Sequence, residues 1–137
     1  MVKVLIVDDD FMVADCLEET LIDAGYEVCG IAGTVEEAIA LGEAHHPDLG
    51  VIDLRLAGGR FGTEVAAALR GRHKFGVLYA TGNPDHAALR AAEGEGYIGK
   101  PYTSKAILAA LRSVTEAMSA SAASLVRHPV DLATEAS

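Results

Sequence analysis

Three adjacent carboxylates, Asp8, Asp9 and Asp10, follow the apolar run Val2–Val7, and a lone carboxylate, Asp53, ends a second run that begins at Leu49. Thr81 closes a third run, Gly76–Ala80, and Lys100 follows a fourth, Tyr97–Gly99, directly ahead of Pro101. Scattered over separate loops, these groups would be ordinary solvated side chains. At the ends of parallel strands they would share one edge of one sheet, where open α/β sheets bind their ligands. Two like charges about 4 Å apart repel by roughly 4 kcal/mol at an effective dielectric near 20. Gathering carboxylates there is costly unless a cation offsets them. Ligation by oxygen alone suits Mg²⁺, and Mn²⁺ also fits. A hydroxyl and an ammonium beside such a metal complete a site for a phosphoryl group. Asp9 and Asp53 are the preferred direct ligands, Asp8 acts through water, and Asp10 suits the N-cap of a following helix.

The elements that must position these groups are legible as alternating patterns. Strand-length apolar runs are read at 2–7, 27–32, 49–53, 75–81 and 96–99. Segments of helical periodicity are read at 11–24, 35–45, 62–71, 85–93 and from 104 to about 118. Such alternation predicts repeated βαβ units, hence an α/β fold with a parallel sheet and helices on both faces. Gly25 is placed to stop the first helix in a left-handed cap. Thr34 and Glu37 form a capping-box pattern at the second, and Pro84 fits the first turn of the fourth. The last helix either runs on into the Ala/Ser-rich stretch after Met118 or gives way there to a disordered tail, and Pro129 is expected to end any helix. The division is therefore one domain over 1–118 and an extension over 119–137.

Composition narrows the function. The chain has 137 residues, half of them apolar, enough for one domain with a real core. A formal charge of −9 opposes direct binding of nucleic acid, which depends on Lys and Arg. No apolar run reaches membrane-spanning length and no signal peptide fits the first residues, so the expected home is the cytoplasm. Cys16 and Cys29 are too few for a disulfide framework and are expected as reduced thiols in or near the core. The five histidines form no metal constellation; His45 and His46 are adjacent and cannot share a helix face.

Four fragments, Val7-Asp8-Asp9, Ile52-Asp53, Ala80-Thr81-Gly82 and Tyr97-Ile98-Gly99-Lys100-Pro101-Tyr102, make the chain resemble the receiver domains of two-component response regulators, the CheY-like type. The resemblance covers about Met1 to Met118. It implies a five-stranded parallel sheet in the order 2-1-3-4-5, shared with flavodoxins. It implies Asp53 as phosphoacceptor and Mg²⁺ held by Asp8, Asp9, Asp53 and the backbone carbonyl of Arg55. Lys100 and Thr81 would hold phosphoryl oxygens, Thr81 and Tyr97 would form the switch, and the Lys100–Pro101 bond would be cis. The implied partners are a sensor histidine kinase or histidine phosphotransfer protein upstream and a protein effector downstream. Such a protein assists its own phosphorylation and dephosphorylation and is not otherwise an enzyme. It would be a stand-alone receiver or a receiver cut from a longer chain. The output face would be the fourth helix, fifth strand and fifth helix, where Ala87, Ala88, Ala91 and Ala92 permit close approach. A homodimer through the terminal helix is an alternative contact.

The segment after Asp53 departs from the family pattern. The usual Met-Pro step is replaced by a glycine-rich run from Leu54 to Gly62, expected to be more mobile. It carries Arg55 and Arg60, and Arg55 is expected to pair with the phosphoryl group or with Asn83. Gly82 would open the mouth of the site. The rival reading is a phosphohydrolase of the haloacid dehalogenase type, with Asp8 as nucleophile and Asp10 beside it. It lacks the expected acidic pair late in the chain. A flavodoxin-like flavin site is set aside because three carboxylates would repel a phosphate.

Overall fold

Five apolar strands pair side by side, all parallel, in the computed structural model, which describes residues 1–82 and 96–135, with side chains as far as Ser119. In chain order they are β1 (Lys3–Val7), β2 (Glu27–Ala32), β3 (Leu49–Asp53), β6 (Gly76–Thr81) and β7 (Gly96–Gly99), and the sheet order is β2-β1-β3-β6-β7. That is the predicted 2-1-3-4-5 order, with two short strands interposed in the count. The two are β4 (Arg55–Leu56) and β5 (Arg60–Phe61), an antiparallel hairpin around a 3₁₀ turn at Ala57–Gly59. The sequence reading missed this hairpin, because two-residue strands leave no periodicity to detect.

Helices α1 (Phe11–Asp23), α2 (Val35–His45), α3 (Gly62–Arg70) and α4 (Ser104–Glu135) cover the sheet. Central strands buried on both faces read as unbroken apolar runs, and β6 is buried at every residue. One face packs Leu5, Val7, Ile52, Val77 and Tyr79 with Ala38 of α2 and Val65 and Leu69 of α3. The other packs Ile6, Val51 and Leu78 with Leu17 and Leu21 of α1 and Ile107 and Leu111 of α4. Truncating such a buried Leu or Ile to Ala typically costs about 2–5 kcal/mol.

The predicted caps form. Asp10 accepts from the Met12 and Val13 amides at 3.1 and 3.3 Å, and Thr34 accepts from Glu37 N at 3.1 Å. Glu37 reaches one residue further back than a capping box requires, to Gly33 N at 2.9 Å. Gly25 takes φ 97°, which ends α1. Pro129 does not end α4, which continues to Glu135; a proline removes one hydrogen bond and strains the preceding turn, a cost of about 3 kcal/mol that a long helix absorbs. The predicted helix 85–93, with Pro84 and the alanines of the output face, lies outside the described residues. Cys29 is half-buried as a bulge residue against β1, but Cys16 is exposed on α1, not in the core. Among the described residues no helix is long and apolar enough to cross a membrane.

Candidate functional site

Strand register alone brings the chemical groups together. Val7 pairs with Ile52, so Asp8 and Asp53 leave their strands side by side. Asp53 pairs with Ala80 and Thr81 with Gly99, so Thr81 and Lys100 emerge at the same edge. The Lys100 amide donates to the Thr81 carbonyl at 2.8 Å and fixes that step. The Lys100–Pro101 bond is cis. On the far side, a Cβ at Gly62 would run into the Asp53 carbonyl and the Ile52 side chain. Only glycine lets the start of α3 come this close to the acceptor strand.

Asp8, Asp9 and Asp53 each present a carboxylate oxygen within 4.8 Å of the others. Lys100 Nζ lies 3.1 Å from Asp8 Oδ2 and 3.4 Å from Asp53 Oδ2. Asp8 is buried and has both oxygens engaged, since Oδ1 accepts from Asp10 N at 2.9 Å. Asp9 is exposed. Burial pushes the Asp53 carboxyl up to about 6; the Lys100 charge opposes this and the Asp8 and Asp9 charges add to it. Burial works against the Lys100 ammonium, but the Asp8 hydrogen bond and the Asp53 and Asp8 charges outweigh it and raise its pKa.

Three carboxylates against one ammonium leave two negative charges in a half-buried space. The donors are all oxygen. That set fits a hard divalent cation such as Mg²⁺, which binds through one or two carboxylates and keeps several waters.

The remaining predicted residues fall around this centre. Thr81 is buried at the end of β6. Tyr97 is half-buried on β7 with its ring centroid 5.3 Å from that of Tyr79. Arg55 is exposed, and its guanidinium stands 6.0 Å over the Phe61 ring, a contact the sequence reading did not foresee. Asn83, the other expected partner of Arg55, lies outside the described residues. Arg60 does not turn to the acidic centre; it bridges Glu36 and Glu64.

Sequence reasoning gave Tyr102 no role. Burial, with the Asp8 charge adding to it, pushes the Tyr102 phenol up to about 12. It lines a cavity of about 510 Å³ between α1 and the start of α4, together with Met12, Cys16, Leu17, Pro101 and Ile107. No motif announces this cavity, since its walls come from distant segments. An Asp8 nucleophile, as in the phosphohydrolase reading, finds no support here. Asp8 is more buried than Asp53, and its two oxygens accept from Lys100 and the Asp10 amide, which suits a positioning role.

Residues 4–112 match the family model described as the response regulator receiver domain. A curated relative, the transcriptional regulatory protein PdtaR of Mycobacterium tuberculosis, is 29% identical over 112 residues, covering 80% of this chain and 54% of that protein. The chain thus spans about half the length of the curated relatives it matches. Among solved structures, a CheY-like receiver domain protein from Methanospirillum hungatei is 29% identical with a TM-score of 0.71, over 85% of this chain and 96% of that one. The PhyR receiver domain of Erythrobacter litoralis has a TM-score of 0.75 at 22% identity, over 83% and 89% of the two chains, which shows likeness of fold.

Proposed function

The chain belongs to the response regulator receiver family, and from that premise we propose that Asp53 accepts a phosphoryl group from a phosphohistidine. The observation that carries the reading is the position of Asp53. It sits at the C-terminal edge of the sheet, among the Asp8 and Asp9 carboxylates and 3.4 Å from the Lys100 ammonium. Receivers in response regulators regulate; they are not catalysts in their own right.

An Asp53 carboxylate oxygen attacks phosphorus, and the bond from phosphorus to the donor imidazole breaks. Its electron pair returns to the imidazole nitrogen, which takes up a proton. The product is a mixed anhydride on Asp53. Mg²⁺, when bound, neutralises charge on the transferring oxygens. Asp9, Asp53 and the Arg55 backbone carbonyl would hold it, with Asp8 acting through water. The engaged oxygens of Asp8 support that division. Lys100 pairs with one phosphoryl oxygen and the Thr81 hydroxyl donates to another, so the site works by positioning and charge. Tyr97 turns toward the space Thr81 vacates and carries the change to the surface.

The upstream partner is a sensor histidine kinase or a histidine phosphotransfer protein. The downstream partner is a protein effector, with a second copy of the chain as the other candidate. The receiver unit is taken as residues 1–118, with 119–137 as its extension.

The test is incubation with Mg²⁺ and a small acyl phosphate, followed by intact mass and peptide mapping. The expected result is one phosphoryl group on Asp53, not formed when the metal is chelated beforehand and absent from Asp53→Asn. Stable labelling of Asp8, or none anywhere, would overturn the proposal.

A further inference from the structure

The chain leaving Asp53 doubles back at once. Leu54 N donates to the Ala80 carbonyl at 2.9 Å, and the Leu54 carbonyl accepts from Gly62 N at 2.8 Å. Arg55 then pairs with Phe61, and Leu56 with Arg60. The tip holds Gly58 at φ 77° and Gly59 at φ 72°, and a β-carbon added at either would meet no other part of the chain within 4 Å. A hairpin this short is marginal in water by itself, and its two glycines have more freedom to lose than any other residue. Leu56 anchors one strand in the core. The other strand has no buried side chain.

Arg60 supplies the missing anchor. Its Nε lies 3.0 and 3.2 Å from the two oxygens of Glu64, and its Nη2 lies 2.8 Å from Glu64 Oε1. Its Nη1 reaches Glu36 of α2 at 2.7 Å. Glu64 also accepts from the Phe61 amide at 3.0 Å, at the start of α3. One guanidinium therefore ties the outer hairpin strand to two helices. Exposed ion pairs add little to global stability, but a bidentate fork within a network fixes the local geometry of the groups it joins.

We propose that Arg60 is a positioning residue for the metal site: it holds β5 in register, β5 holds β4, and β4 carries Arg55, two residues after Asp53, whose carbonyl completes the proposed ligand set. The inference rests on the ligand set of the preceding subsection. Outer groups that orient metal ligands commonly change metal affinity about 10- to 100-fold when removed. Arg60 acts through one more strand, so a smaller factor is expected.

The experiment is Mn²⁺ binding to the full chain, followed by the electron paramagnetic resonance of free Mn²⁺ well below the unfolding temperature. Arg60→Ala is expected to weaken binding about three- to tenfold. Arg60→Lys should fall between it and the wild type, because an ammonium cannot reproduce the fork. Glu36→Gln, which spares the Glu64 arm, should have the least effect. A purely structural role would lower the metal-free melting temperature and leave Mn²⁺ affinity unchanged, and that result overturns the proposal. A wild-type chain that binds no Mn²⁺ overturns the ligand set itself; wild type and Arg60→Ala binding equally well overturns the positioning role alone.

Discussion

Lys100 and Arg60 each sit among carboxylates, Lys100 at 3.1 Å from Asp8 and 3.4 Å from Asp53, Arg60 at 2.7 Å from Glu36 and 2.8 Å from Glu64. The residue types are alike and the consequences are opposite. Around Arg60 the groups face water, and its hydrogen bonds hold both glutamates below the ordinary carboxylate range. Around Lys100 burial dominates, and Asp53 rises to about 6. Distance to a cation does not decide which way an acid moves. Shielding from water and the number of competing acids do. The exposed cluster is satisfied as it stands. The half-buried one keeps unbalanced negative charge, which is what a dication and a phosphoryl group can relieve.

The sharpest way to break this contrast is to remove each cation in turn. Lys100→Ala leaves buried Asp8 without its counter-charge. Unpairing a buried ion typically costs about 3–5 kcal/mol. Part of the Lys100 side chain reaches solvent, so roughly 2–3 kcal/mol is expected after discounting for screening. Urea unfolding at neutral pH without metal measures it. A loss as small as that of an ordinary surface lysine would mean the centre is solvated and the contrast false.

Removing the acceptor charge should act in the other direction. The Asp53 pKa is about 6 in the folded chain against an ordinary 3.8. Between those values the folded state holds more protons than the unfolded one. Metal-free stability should therefore fall as pH rises from about 4 to 6 and stay lower above. At pH 7 Asp53→Asn is expected to be more stable than wild type by about 1–2 kcal/mol, after discounting the full shift for solvent. Its unfolding profile should lose the slope between those pH values. Saturating Mg²⁺ should stabilise wild type and leave the variant nearly unmoved. Equal pH profiles for the two chains would show that Asp53 is not held at an elevated pKa.

The half-buried side of this contrast could be read from the chain before folding it. Apolar runs ending in Asp53 and Thr81, or followed at once by Asp8 and Lys100, specify a shared sheet edge, because parallel strands in one register deliver their ends together. The Asp10 and Thr34 caps were legible for the same local reason: each acts on amides two or three residues away. The Arg60 cluster was not legible. Its partners Glu36 and Glu64 lie on different helices, and the hairpin that presents Arg60 is too short to leave a pattern. Arg55 is legible as a candidate phosphoryl partner from its place after Asp53; its stacking over the cross-strand Phe61 was not, because that contact is invisible without the hairpin. The Tyr102 cavity was hidden likewise, being assembled from α1 and a loop some eighty residues later.

The smallest expected effect is also the most discriminating. Arg60→Ala removes more hydrogen bonds than Lys100→Ala does, so a simple count of contacts predicts the larger loss there. Solvent exposure predicts the reverse. Charges that face water attract one another weakly and are screened over about 3 Å in roughly 1 M salt, whereas shielded pairs are screened much less. The metal-free melting temperature of Arg60→Ala should thus lie close to that of wild type at low salt and merge with it at high salt. The deficit of Lys100→Ala should persist at both. If the Arg60 deficit were the larger and survived high salt, the fork would be a structural anchor in its own right. The two clusters would then differ in geometry and not in their exposure to water.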